Sequence, residues 1–153
     1  ECFGGNGYVE DHPMARLYRE APLNSIWEGS GNVICLDVLR AMRREPEAVE
    51  AIRTELRKAS RYDRRYDKFV GQLDATLTDT ADLEVKARWL VERLALALQA
   101  AQLIQFGDSE VANAFIRTRL EDDRSGCFGT VPADVDHQRL VDRVVQLKHV
   151  ESE

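Results

Sequence analysis

The sequence predicts an all-α protein, a helical bundle, and three observations predict it. From residue 47 to 131 there is no proline, and apolar residues recur at intervals of three and four, the helical period, with no run at the strand period of two. Charged residues make up 31% of the chain beside 44% hydrophobic residues, as expected where several amphipathic helices each turn a charged face to water. A length of 153 residues is enough for one sizeable core.

The elements follow in order. Five of the nine glycines (4, 5, 7, 29 and 31) and two of the four prolines (13 and 22) fall in the first 31 residues, so the opening segment is expected to be mostly loop. A first helix begins at Ser30, a good N-cap, and carries Val33, Ile34, Leu36, Val38, Leu39 and Met42. Arg43 and Arg44 suit its C-terminal end, and Pro46 stops it at about Glu45. Pro46 also suits the first turn of the next helix, whose stripe runs Val49, Ile52, Leu56, Ala59, then Tyr66, Phe69, Val70, Leu73 and Leu77. One long helix and two helices broken near Ser60 fit this pattern equally. Asp79 or Thr80 caps a third helix, Leu83 to Phe106, apolar nearly all round in its second half and so the expected bundle centre, with Gly107 as C-cap and Trp89 in the core. Two shorter helices, Glu110 to Leu120 and roughly Asp134 to His149, flank a glycine-containing loop.

Composition narrows the function classes. A net charge of −6 repels nucleic acid and anionic membranes on average. Cys2, Cys35 and Cys127 form neither a disulfide framework nor a ligand spacing, which suits a reducing, cytoplasmic setting. The apolar stretch from Leu94 to Phe106 is interrupted by Gln99, Gln102 and Gln105, so no membrane span is expected. His12, His137 and His149 lack ligand spacing, and Glu121-Asp122-Asp123 lacks the glycine and glutamate of a calcium loop, so no metal site is expected. The chain opens inside what reads as a motif, Glu1-Cys2-Phe3-Gly4-Gly5, and is read as a fragment.

Two segments can carry chemistry. Gly4-Gly5-Asn6-Gly7 permits close backbone approach or an unusual φ, or is simply a turn; no strand precedes it, so it is no dinucleotide fingerprint. In Trp27-Glu28-Gly29-Ser30-Gly31-Asn32, Glu28 is either the glutamate of a capping box with Ser25 or a general base. Gly29 and Gly31 would weaken the first turn of a helix capped at Ser25 by about 1 kcal/mol each, which favours Ser30 as the cap. Glu28 then sits on a loop before a helix N-terminus, flanked by Ile26 and Trp27, which would desolvate it and raise its pKa while the helix dipole lowers it.

Glu1-Cys2-Phe3-Gly4-Gly5-Asn6-Gly7-Tyr8, Leu17-Tyr18-Arg19-Glu20 and Ile26-Trp27-Glu28-Gly29-Ser30 together resemble the C-terminal signature of the acyl-CoA dehydrogenase family. The continuation through Asn32 and Cys35-Leu36-Asp37-Val38-Leu39-Arg40 is most similar to the AidB-like branch associated with the adaptive alkylation response. The resemblance implies the C-terminal domain of a flavoprotein, with residues 1–45 ending the dehydrogenase domain and 46–153 forming an additional C-terminal helical region. It implies α,β-dehydrogenation of an acyl-CoA thioester, with Glu28 as the α-proton base and Gly29 at the substrate. FAD is the implied cofactor, with Ser30 and Asn32 at the flavin and Glu1, Gly4 and Gly5 approaching the adenosine side of a neighbouring subunit's FAD. A homotetramer, or at least a dimer, is thereby implied, and the fragment alone is expected to turn nothing over. The sequence departs from the family at Trp27 for Tyr, at Ser30-Gly31-Asn32 for Thr-Ser-Gln/Glu, and at Glu1 for Gln.

A competing reading rests on Arg53, Arg57, Arg61, Arg64, Arg65 and Lys68, which on one continuous helix would form a single basic stripe interleaved with Tyr62 and Tyr66. Residues 53–68 hold seven basic and three acidic side chains, a net +4, which leaves −10 for the rest of the chain. Such a surface fits double-stranded DNA phosphates, a solvated ion-paired face, or an oligomerisation contact.

Overall fold

Helix α5 (Ala87–Phe106) is wrapped by α2 (Gly31–Arg44), α3 (Pro46–Lys58), α4 (Arg64–Thr78) and α6 (Ser109–Arg119), with α1 (Pro13–Glu20) ahead of this group and α7 (His137–Val150) packed on α6. The structure is a computed structural model that describes residues 1–78, 82–122 and 126–150, with side chains described to residue 145. All regular elements among them are helical, and none is long and apolar enough to cross a membrane. Asp79, Thr80 and Asp123, and the His149 side chain, lie outside the described residues.

The core lies where the periodic stripes converge. Leu39 from α2, Leu56 from α3, Tyr66, Phe69 and Leu73 from α4, and Ile116 from α6 close over Leu90, Leu94, Ala97, Ala100 and Ala101 of α5. The alanines let neighbouring helices approach α5 closely, which gives dispersion contacts that a larger residue would hold apart. Trp89, expected in the core, is 43% exposed. The buried positions 87, 90, 94, 97 and 101 form one stripe and Trp89 stands off it, its ring covered by the Arg93 guanidinium at 4.9 Å.

Helix boundaries follow local chemistry. Ser30 occupies the N-cap of α2, although its side chain makes no capping bond, and Glu45 ends the helix before Pro46 opens α3 at N1. The stripe from Val49 to Leu77 is two helices. The chain breaks at residues 59–63, where Arg61 has φ +69 and its N–H donates to Asp67 Oδ1 at 3.1 Å. Asp63 then caps α4, its Oδ1 accepting the Arg65 N–H at 2.7 Å. Tyr66, fully buried, donates its hydroxyl to the Leu56 carbonyl at 2.9 Å and ties the new helix to the end of the old one.

The third helix starts at Ala87 and not at Leu83, because Asp82 takes φ +56 and Val85 and Lys86 fold back to its carbonyl. Gly107 ends α5 in extended conformation; a Cβ there would lie 2.6 Å from the Leu103 carbonyl oxygen, so close approach demands the glycine. Asp108 and Asp136 supply the capping carboxylates of α6 and α7. The opening segment, expected to be mostly loop, is instead a series of helical turns: 3-10 turns at Gly4–Gly7 and Ala21–Ser25 enclose α1. Pro13 at N1 and the His12 Nδ1 acceptor for the Met14 N–H start α1, and the Arg16–Glu20 pair runs along it.

Replacing fully buried Leu90 by Ala is expected to cost about 2–5 kcal/mol of unfolding free energy, measured by denaturant titration. For Asp63, the hydrogen bond from Arg65 first, with its charge and backbone bonds added, holds the carboxyl below its ordinary range against the opposing effect of burial. A depressed carboxylate stabilises the fold above its unfolded pKa, and that stabilisation disappears as pH falls through the folded value. Asp63→Asn, which keeps a capping acceptor but loses the charge that pairs with Arg65, should therefore destabilise by about 1 kcal/mol at neutral pH and flatten the loss of stability on acidification, with urea midpoints from pH 7 to pH 2 as the check.

Candidate active site

The segment around Glu28 is shaped by two successive positive φ angles, +59 at Glu28 and +121 at Gly29. For a residue with a Cβ the left-handed region costs about 1–2 kcal/mol, so Glu28 occupies backbone that favours glycine. The pair turns the chain from the Ala21–Ser25 turn into α2. A Cβ on Gly29 would lie 3.2 Å from Ile34 Cγ1, so both φ and space hold glycine there. The capping-box alternative fails: Ser25 Oγ donates to the Pro22 carbonyl at 2.8 Å, and the helix does not begin until Gly31.

Glu28 is exposed, as are Ile26 (64%) and Trp27 (56%), so the flanking apolar residues do not desolvate it within this chain. Ser30 is exposed with its hydroxyl free of capping duty. Asn32 accepts a hydrogen bond through Oδ1 from Arg88 Nη1 at 3.0 Å, and the same guanidinium lies against Gly31, where a Cβ would stand 2.9 Å from Nη1. Arg88 was not foreseen among the site residues, because 56 positions separate it from Asn32 and no local pattern marks it.

Glu1, Gly4 and Gly5 form a second group on the N-terminal turn. Gly4 has φ +55, its N–H donates to the Glu1 carbonyl at 2.9 Å, and a Cβ on Gly4 or Gly5 would meet nothing within 4 Å. Arg19, the arginine of the second motif block, grips Glu10 with two bonds of 2.6 and 3.0 Å and so fixes the N-terminal turn to α1. That hydrogen bond, and then the charge behind it, holds the Glu10 carboxyl below its ordinary value. Among the described residues no hydrogen bond joins the Glu1–Gly5 group to Glu28–Asn32.

The basic stripe is divided by the break between α3 and α4. Arg53 holds Glu50 and Asp74 at 2.6 Å each, Arg65 holds Asp63, Glu121 and Asn113, and Lys68 holds Asp122 at 2.6 Å. Arg57 stands 3.9 Å from Glu50, while Arg61 and Arg64 are exposed and pair with no described carboxylate. The bonds from Arg53 and Arg65 cross between helices, α3 to α4 and α4 to α6, so these cations serve the packing.

Comparison with known proteins bears on the N-terminal segment that contains Glu28. Residues 1–43 match the model of the acyl-CoA dehydrogenase C-terminal domain. The chain belongs to the acyl-CoA dehydrogenase family through this segment. It is 36% identical over 121 residues, 79% of its length, to AidB of Escherichia coli strain K12, and covers 22% of that protein. It is 32% identical over 133 residues to acyl-CoA dehydrogenase family member 11 of Caenorhabditis elegans, again covering 22% of the relative. Mitochondrial isovaleryl-CoA dehydrogenase of Pongo abelii is 49% identical over 41 residues, 27% of this chain and 10% of the relative. The chain thus spans about a fifth of the length of the first two relatives.

The backbone at Glu28 is testable by itself. Glu28→Gly should raise stability by about 1 kcal/mol by removing left-handed strain, and Gly29→Ala should lower it by about 1–3 kcal/mol. Thermal melts compare them, and a stability loss in Glu28→Gly would show that the positive φ is not strained.

Proposed function

We propose that this chain is the C-terminal part of an FAD-dependent acyl-CoA dehydrogenase-like enzyme in which Glu28 removes the α-proton of an acyl-CoA thioester. One observation carries the reading. Within the 43 residues that match the family, the exposed Glu28 carboxylate is held in costly left-handed backbone directly before the N-terminus of α2. Such backbone clusters at active sites but also lies between helices, as at Arg61 and Asp82, and of these three left-handed residues Glu28 alone lies in the segment that matches the family.

The residues fit the work. The Glu28 carboxylate is exposed and stands just before the N-terminus of α2. Covering Ile26 and Trp27 by the remainder of the protein would exclude water from around Glu28, an environment suited to a general base. Gly29 lets substrate approach the main chain beside it. Ser30 and the N–H2 end of Asn32 are free to bind FAD, and the open backbone at Gly4 and Gly5, with Glu1, suits contact with the adenosine side of FAD in a neighbouring subunit. FAD, when bound, accepts the β-hydride.

Residues 1–45 would end the dehydrogenase domain and 46–153 form an additional helical region; isovaleryl-CoA dehydrogenase aligns over only 41 residues and AidB over 121, which supports this division. The exposed Phe3, Tyr8, Leu17, Tyr18, Ile26 and Trp27 support assembly with further domains and with other copies of the protein, as a tetramer. Double-stranded DNA is the weaker reading for the stripe, because Arg53, Arg65 and Lys68 are already engaged by carboxylates.

In the full-length protein, Glu28→Gln should retain bound FAD and slow flavin bleaching by acyl-CoA about 10³-fold, read as absorbance loss under anaerobic mixing. Bleaching at the wild-type rate would remove Glu28 from the reaction.

A further inference from the structure

Arg88, the second residue of α5, is the one side chain of the central helix that hydrogen-bonds to the site segment among the described residues. Its backbone position is fixed by burial on either side, since Ala87 and Leu90 both belong to the core. From there its guanidinium reaches the start of α2, donates from Nη1 to Asn32 Oδ1 at 3.0 Å and lies against Gly31, whose missing Cβ would stand 2.9 Å from Nη1 and 3.3 Å from Cζ. A methyl at residue 31 would meet only the far end of the flexible Arg88 side chain and would push the guanidinium aside. The position is not one that α2 itself would select, because a helix N-terminus repels cations.

We infer that Arg88 is a positioning residue that holds the Asn32 carbonyl oxygen and thereby presents the amide N–H2 as a donor to an acceptor of the bound flavin cofactor. An asparagine amide has one accepting and one donating end, and engaging the oxygen with a cation fixes which end is free. A donor at this place suits a carbonyl, ring nitrogen or phosphate oxygen, all of which FAD offers. The consequence reaches beyond residue 32, since the central helix of the additional region sets the orientation of a side chain only four positions from Glu28. The inference rests on the flavoprotein reading above.

The test is a double-mutant cycle on FAD affinity in the full-length protein, followed by fluorescence quenching as FAD is titrated into apoprotein. Arg88→Met and Asn32→Ala should each weaken FAD by about tenfold, the worth of one charge-assisted contact, and the double variant should be no weaker than either single variant. Arg88→Lys should restore part of the loss. Gly31→Ala, whose methyl displaces the guanidinium, should weaken FAD similarly without lowering the melting temperature of the apoprotein, which a merely structural role would not produce. Unchanged affinity in Arg88→Met, or additive losses of about a hundredfold in the double variant, would overturn the inference. A failed base assignment registers separately, as undiminished bleaching in Glu28→Gln with the Arg88 cycle intact; wild-type protein that binds no FAD overturns both.

Discussion

Burial of the core face of α5 is the constraint on which the other elements depend. Leu90, Leu94, Ala97, Ala100 and Ala101 are buried while Glu92, Ala95, Gln99 and Gln102 stand exposed, and the three alanines keep the approach close enough for α2, α3, α4 and α6 to cover the rest of the helix. The polar contacts then refine what burial has assembled. Glu55 of α3 accepts from Gln102 and Gln105 of α5, Arg53 joins α3 to Asp74 of α4, and the Tyr66 hydroxyl closes the joint onto Leu56. Because α2 packs along the same helix, the N-terminus of α2 and the loop before it inherit a fixed place.

That fixed place contrasts with the surface in front of it. Before Cys35 the buried set holds Ala15 alone, while eight large apolar side chains between Phe3 and Trp27 stand exposed. A segment with so little core of its own presents the apolar surface typical of an interaction site. The same deficit explains the state of Glu28: its backbone is shaped within this chain, by φ +59 and by Gly29, but its solvation is not. Geometry and solvation therefore have separate origins.

Much of the fold was legible because it depends on local chemistry. Pro46 between two apolar stripes, Ser30 ahead of Gly31, and the glutamine-interrupted apolar run of α5 act through propensity and periodicity. The eight-residue α1 was not read, since glycines and prolines on both sides outweighed His12-Pro13 as a start signal. The break at Arg61 was undecidable because arginine carries no preference for positive φ; Asp67 and Asp63 stabilise that joint through bonds made only once the chain has turned. Trp89 was misplaced by its apolar neighbours, and the basic stripe, which required one continuous helix, is divided by the break between α3 and α4. At the site, Glu28 and the glycines were visible as a motif, whereas Arg88 entered only when α5 met α2.

The central claim is that Glu28 is positioned to take a proton from the carbon next to a thioester carbonyl. The most direct measurement is solvent exchange: full-length protein with bound FAD, in deuterium oxide, incubated with an acyl-CoA analogue that cannot lose a β-hydride, the α-position followed by proton NMR. The account predicts exchange catalysed by the wild type and reduced to the background rate in Glu28→Gln. Equal exchange in the two proteins would contradict it.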